Sequence, residues 1–310
     1  MASKFAPSVG GERRSSARWI EIMDYSCFRA STSWLSSKKY TYSAPPSAWR
    51  GQDIVPGVRT LPSFDDAVRG SFVSSSQSSK NGAGPWGGRV VLSTNGQDIR
   101  NPVTGRKFHV TGVYPSRKAG RSVRHESMHE LAFIQISEVD PGVVDYRTQY
   151  LRFEFLIDGR LRTYIPDAVR LLSSGSIEVI EVKRDVSGLR DPEYKLKIQE
   201  AGRICQTLGW RFDVVMGLDL KAGNAFSANV QYVQSRRHTP VSQAEQFHVH
   251  ELVWQEGGRA PLGKITEALG GGVIGLAKAA SLMCRRRLSI DLVAPLVADT
   301  CVHAVSHTQH

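Results

Sequence analysis

Acids, cysteines and long apolar runs are all scarce in this sequence. Asp and Glu number 29 against 40 Lys and Arg, a formal net charge of +11. A surplus of that sign suits a polyanionic partner and says nothing about fold. The four cysteines, Cys27, Cys205, Cys284 and Cys301, are scattered without C-x-x-C spacing. That argues against a zinc knuckle or a disulfide framework and fits a reducing compartment. No segment reaches the ~18 uncharged apolar residues needed to span a bilayer, and the start lacks the apolar core of a secretion signal. A soluble, intracellular, cytoplasmic protein with no membrane partner is expected. At 310 residues the chain can hold one large or two modest domains.

What is there centres on Tyr164 to Lys183, YIPDAVRLLSSGSIEVIEVK. It reads as two short strands joined by the turn residues Ser173 to Ser176. Alternation puts Glu181 and Lys183 on one face and Ile180 and Val182 on the other. A hairpin of this length brings Asp167 beside Glu181. Two carboxylates that close repel each other unless a positive charge intervenes. Mg²⁺ or Mn²⁺ is the natural occupant, since a hard cation prefers carboxylate oxygens and water. Such an ion activates water and stabilises a phosphoryl oxygen, and Lys183 is placed to hold water or the scissile phosphate. The competing reading is a surface hairpin with an exposed Glu181–Lys183 pair, worth ~0.5 kcal/mol.

Around that hairpin the chain falls into expected parts. Residues 1–95 are rich in Ser, Gly, Pro and Arg, a basic, largely irregular segment with a linker-like run from Ser74 to Gly88. Residues 96–235 form an α/β unit. A basic stretch carries Arg106, Lys107, Arg117, Lys118, Arg121 and Arg124, either phosphate contacts for double-stranded DNA or a solvated loop. Ser127 caps a helix running to Val139, with Glu130 at the capping-box position and Asp140-Pro141-Gly142 as its stop. Val143 to Asp158 is strand-like, and Asp158-Gly159 is a hairpin signal. Asp191-Pro192-Glu193 starts a second helix, with a buried stripe of Leu196, Ala201, Ile204, Cys205 and Leu208. Lys195 and Lys197 on it are candidate phosphate contacts or a solvated face. Trp210 to Val215 is a further strand. The order gives a mixed sheet flanked by helices.

Residues 126–218 resemble the catalytic domain of TnsA-type transposon endonucleases, within the restriction-endonuclease-like PD-(D/E)xK superfamily. The carrying pieces are E-S-M-H-E, E-V-D-P-G-V-V-D-Y-R-T-Q-Y, Y-I-P-D, I-E-V-K and R-I-C-Q-T-L-G-W-R-F-D-V-V, in that order. The resemblance implies a restriction-endonuclease-like mixed sheet flanked by helices, and a Mg²⁺-dependent DNA endonuclease. Its acids would be Glu130, Asp167 and Glu181, all metal ligands, with Lys183 as the catalytic lysine. It moves Glu130 from helix cap to active-site acid. It also implies a bacterial or phage-encoded protein whose partners are a DDE transposase and an AAA-type ATPase regulator. The family's Gln-Pro is Gln149-Tyr150 here. A stand-alone defence or phage nuclease and a non-catalytic DNA- or protein-binding adaptor are the alternatives.

Residues 236–310 differ. Pro261 to Leu269 and Val273 to Leu288 read as helices around Gly270-Gly271-Gly272, with a short strand near Ser289 to Leu292. A small helical, winged-helix unit is expected, docking DNA through Arg285, Arg286 and Arg287 or protein through an apolar face. Charge matching of the helix C-terminus is the other reading of those arginines.

Overall fold

The computed structural model describes residues 63–76, 88–93, 99, 110–220 and 225–305. Helix α1 (Phe64–Ser76) opens at Ser63, whose hydroxyl accepts the Asp66 N–H at 3.2 Å. Strand β1 (Gly88–Leu92) follows. Part of the segment expected to be irregular thus supplies a helix and a strand. Arg106 and Lys107 lie outside the described residues. Strands β2 (Gly112–Ser116) and β3 (Arg121–His125) form a hairpin. Helix α2 (Met128–Val139) is capped by Ser127, as expected, and ends at Asp140.

The strand-like run after it is two strands, β4 (Val143–Thr148) and β5 (Leu151–Ile157). They break at Gln149, whose φ is 46°. Asp158 and Gly159, both at positive φ, turn the chain into β6 (Arg160–Tyr164), the geometry a two-residue hairpin needs. Strands β7 (Ala168–Leu172) and β8 (Ile177–Lys183) flank the serine turn. A short 3-10 turn, Val186–Leu189, leads to α3 (Pro192–Thr207), capped by Asp191. Leu196, expected in its buried stripe, is exposed, and Ile198 takes that place. Strand β9 (Arg211–Met216) and the one-turn helix α4 (Gly217–Leu220) complete the unit.

The central sheet has the order β4-β7-β8-β9. Its first two pairings are antiparallel and β8–β9 is parallel. It is therefore the mixed sheet flanked by helices that the sequence implied. On one face Ala168, Ile180, Val182 and Val215 pack against Ala132, Phe133, Ile136 and Val139 of α2. On the other, Val169, Leu171, Val179 and Val214 pack against Ile198, Ala201 and Ile204 of α3 and against the sheet β1-β5-β6. Burying each such side chain contributes about 1.5–3 kcal/mol.

The C-terminal part continues the α2 face. Helix α5 (Ala225–Ser235) precedes α6 (Gln243–Gln255), β10 (Arg259–Pro261), α7 (Leu262–Ala268), α8 (Gly272–Cys284), β11 (Leu288–Ile290) and β12 (Cys301–Ala304). Helices α7 and α8 meet at 105°, and the strands form the antiparallel sheet β10-β12-β11. This is winged-helix order. Its core residues, Val249, Ile265, Ala279 and Val302 among them, are continuous with those of α2 and β8. Among the described residues no single helix is long and apolar enough to cross a membrane.

Candidate active site at the open end of a hairpin

Asp167 lies one residue before β7. Ala168 pairs with Ile180, so the register sets Asp167 opposite Glu181. The Val182 N–H donates to Asp167 Oδ2 at 2.7 Å. Glu181 and Lys183 share a face, as alternation requires, and Lys183 Nζ is 2.7 Å from Glu181 Oε1. Glu181 is only 3% exposed. The reading as an exposed surface pair is therefore overturned: the sheet beneath and α3 above enclose the carboxylate.

Two tyrosines the sequence reading did not single out complete this arrangement. The Tyr164 hydroxyl donates to Glu181 Oε2 at 2.5 Å, and the Tyr194 hydroxyl donates to Glu181 Oε1. Tyr194 stands in the first turn of α3, and Lys183 Nζ sits 4.4 Å from its ring centroid. That distance is a cation–π contact. The stem of Lys183 packs on the 3-10 turn, where a Cβ on Gly188 would come within 3.1 Å of Lys183 Cδ. The signal that could have found the tyrosines was position. Tyr164 opens YIPD, and Tyr194 begins the helix that follows the Lys183 loop.

Glu130 stands at the start of its helix, close enough to Asp167 and Glu181 for their charges to interact. Its backbone N–H donates to Ser127 Oγ at 3.1 Å, and its Oε2 accepts the Glu126 N–H at 2.7 Å. Gln149 ties this helix start to the sheet. Its side-chain amide donates to Glu126 Oε1 at 2.6 Å, and its backbone N–H donates to the Asp167 carbonyl at 3.1 Å. The left-handed backbone at Gln149 makes both bonds possible.

Burial pushes the Asp167 carboxyl well above its usual range, and the charges of Glu181 and Glu130 push it further, against Lys183. Burial also raises Glu130, with Glu126 and Glu181 adding to it. The three acids thus feel one another's charge. They do not form a ready-made ligand set: among the described residues, no group of three or more His, Cys, Asp or Glu is placed to hold a metal ion. By donor type and charge Asp167 and Glu181 nonetheless fit a hard divalent cation, since the repulsion that raises Asp167 is what such a cation offsets.

The basic candidates separate. Lys118 donates to the Ser137 carbonyl at 2.9 Å and to the Asp140 carbonyl. It neutralises the C-terminal end of α2, so its ammonium is spent there rather than offered to phosphate. Lys197 pairs with Glu193 at 3.2 Å, the solvated-face reading of this helix. Lys195 is half-buried on the same helix. Arg121 lies close enough to Asp145 to oppose the rise in that carboxyl's pKa, and Arg124 is half-buried on β3. Arg117 is exposed at the β2–β3 turn.

Comparison with curated proteins finds no match. A family model does match, over a stretch that begins after Glu130 and contains Asp167, Glu181, Lys183 and both tyrosines. Residues 140–217 match the family model described as TnsA-like endonuclease N terminal, so this chain carries a segment similar to the nuclease domain of the TnsA-like family.

Proposed function

We propose that this chain is a metal-dependent DNA endonuclease, a phosphodiester hydrolase acting as a TnsA-like transposase subunit. The observation that supports the reading is Asp167 facing Glu181 beside Lys183, within a stretch similar to an endonuclease domain. Clustered, buried carboxylates are costly to keep without a use for them. Asp167 and Glu181 would hold Mg²⁺ or Mn²⁺, with Glu130 completing the set from the start of α2. When bound, such an ion lowers the pKa of a water and stabilises charge on a phosphoryl oxygen. Lys183 positions the scissile phosphate or the attacking water through Nζ. Tyr164 and Tyr194 fix the orientation of Glu181, and the protein's positive charge favours DNA as the substrate. In this reading the enzyme cuts one strand at each transposon end. A DDE transposase cuts the other, under an AAA-type ATPase regulator.

The test is nicking of a transposon-end duplex by the full chain with Mg²⁺, with and without a candidate transposase. Asp167→Ala should abolish nicking while the circular dichroism spectrum and DNA binding stay unchanged. Undiminished cleavage by that variant removes the assignment. A calorimetric Mg²⁺ titration whose heat persists in Asp167→Asn removes the metal role. Full nicking regardless of the transposase favours the stand-alone nuclease.

A further inference from the structure

The β2–β3 turn and the C-terminal end of α8 enclose a cleft of about 480 Å³, lined by Arg117, Lys118, Arg285, Arg286 and Arg287, with Gln243 and Gln246 on its wall. We propose that this cleft is a second DNA site, a pocket for the backbone phosphates of duplex DNA, separate from the carboxylate cluster.

Charge carries the argument. Arg285 donates to Ser281 Oγ at 3.2 Å and to the Thr239 carbonyl at 3.0 Å. Arg286 donates to the Pro141 carbonyl at 3.0 Å and is held at a φ of 59°. Lys118 is bound to the α2 carbonyls. Hydroxyls and carbonyls fix the two guanidiniums in place without neutralising them, whereas the Lys118 ammonium is spent on the helix end. Arg117 and Arg287 are exposed, and none of the ion pairs among the described residues includes any of these five.

The nearest acids, Glu138 and Asp140, lend their charge to Lys118, and Asp140 to Arg286 as well. Glu138 lies under the turn, accepting from Ser116, Tyr146 and the Arg117 N–H. Asp140 Oδ1 accepts the Gly142 N–H. Burial lowers the Arg285 pKa, and the like charges of Arg117 and Arg287 lower it further across the cleft. A concave cluster of pre-positioned guanidiniums matches phosphate oxygens by geometry as well as by sign.

Duplex DNA is favoured over a free anion by the spacing. The cleft sits at the C-terminal end of α2, and Glu130 sits in its first turn. About ten residues of helix separate them by about 15 Å. That equals four to five phosphate steps at about 3.4 Å per strand step, so one duplex can reach both places. The choice of DNA rests on the nuclease reading. The existence of an anion site does not.

The experiment measures duplex affinity of the full chain by fluorescence anisotropy over a range of NaCl concentrations, in EDTA so that cleavage plays no part. The variants are Arg117→Ala/Arg287→Ala and Arg117→Lys/Arg287→Lys. The alanine pair should weaken binding about tenfold at low salt and reduce the slope of log affinity against log salt by about 1–2, near 0.9 for each phosphate no longer neutralised. The lysine pair should restore the slope. An unchanged slope in the alanine pair, with the fold intact by circular dichroism, overturns the proposal. So does a pair that loses thermal stabilisation by inorganic phosphate while keeping the wild-type DNA slope, since the occupant is then a free anion. Asp167→Asn is measured alongside. Loss of nicking in that variant with an unaltered wild-type salt slope separates failure of this site from failure of the nuclease reading.

Discussion

Asp167 accepts the backbone N–H of Val182 at 2.7 Å, and this bond holds its carboxyl opposite Glu181 at the mouth of the hairpin. One backbone donor and one ammonium are not enough to make the site comfortable. Burial and the acids around it raise the Asp167 pKa well above the usual carboxylate range.

A consequence for stability follows from the direction of that shift. A carboxyl whose folded pKa is raised binds its proton more tightly folded than unfolded. Stability is then greatest below the unfolded value of about 3.9 and falls as pH rises through the folded value. In EDTA, Asp167→Asn should be more stable than wild type at pH 7, by roughly 2–4 °C in melting temperature for about 1 kcal/mol. The gain should shrink to nothing near pH 4. Thermal melts at both pH values check this, and an asparagine variant less stable at pH 7 contradicts the account.

Tyr194 links the two halves of the pair, its hydroxyl on Glu181 and its ring on Lys183. Tyr194→Phe keeps the ring and loses the hydroxyl, whereas Tyr194→Leu loses both. Phe should free one Glu181 oxygen and lower kcat several-fold with little change in KM. Leu should lower kcat further by releasing Lys183. Equal losses in Phe and Leu would assign the whole effect to the hydroxyl and leave the ring without a role.

Much of this site was legible because strand chemistry is periodic. The serine turn fixes the hairpin register, and alternation then sets Glu181 and Lys183 together without reference to anything distant. The Ser127 cap and the Asp191-Pro192 start were legible for the same reason, since each depends on a few adjacent residues. What stayed hidden depends on contacts far apart in sequence. Lys118 reads as one more cation in a basic stretch, and only the packing of the β2–β3 hairpin on α2 shows that it serves the helix end. Gln149 reads as a polar residue inside a strand, although it breaks the run in two. Helix α6 is hard to see in the sequence because it buries only Val249 and Val253, too narrow a stripe to stand out.

Gly217, the first residue of α4, lies against the start of α2. A Cβ there would lie 2.4 Å from His129 Cβ, Cγ and Nδ1. His129 precedes Glu130, so an intrusion at Gly217 is transmitted to the acid. Gly217→Ala should destabilise the protein by about 1–3 kcal/mol and reduce nicking. His129→Ala should relieve the clash, so the double variant should melt above Gly217→Ala alone. A purely additive double-mutant cycle would show that the two residues do not oppose each other.

Arg170 and Glu178 are directly paired across β7 and β8, both with no exposed side-chain surface, on the sheet face opposite the acids. The Arg170 Nε donates to Glu178 Oε2 at 3.0 Å, its guanidinium lies 5.0 Å from the Phe133 centroid, and Arg211 approaches Glu178 Oε1 to 3.1 Å from the half-exposed edge. Removing one partner of a buried pair strands the other's charge, which costs about 3–5 kcal/mol, whereas replacing both with apolar groups of similar size is often neutral. Arg170→Met should therefore be severely destabilising. Arg170→Met/Glu178→Leu should recover most of the loss, because Arg211 can turn to water once its partner is gone. Urea unfolding of the three proteins decides the matter. If the double variant is as unstable as the single one, the pair contributes through its bonds to the sheet rather than merely cancelling its own desolvation.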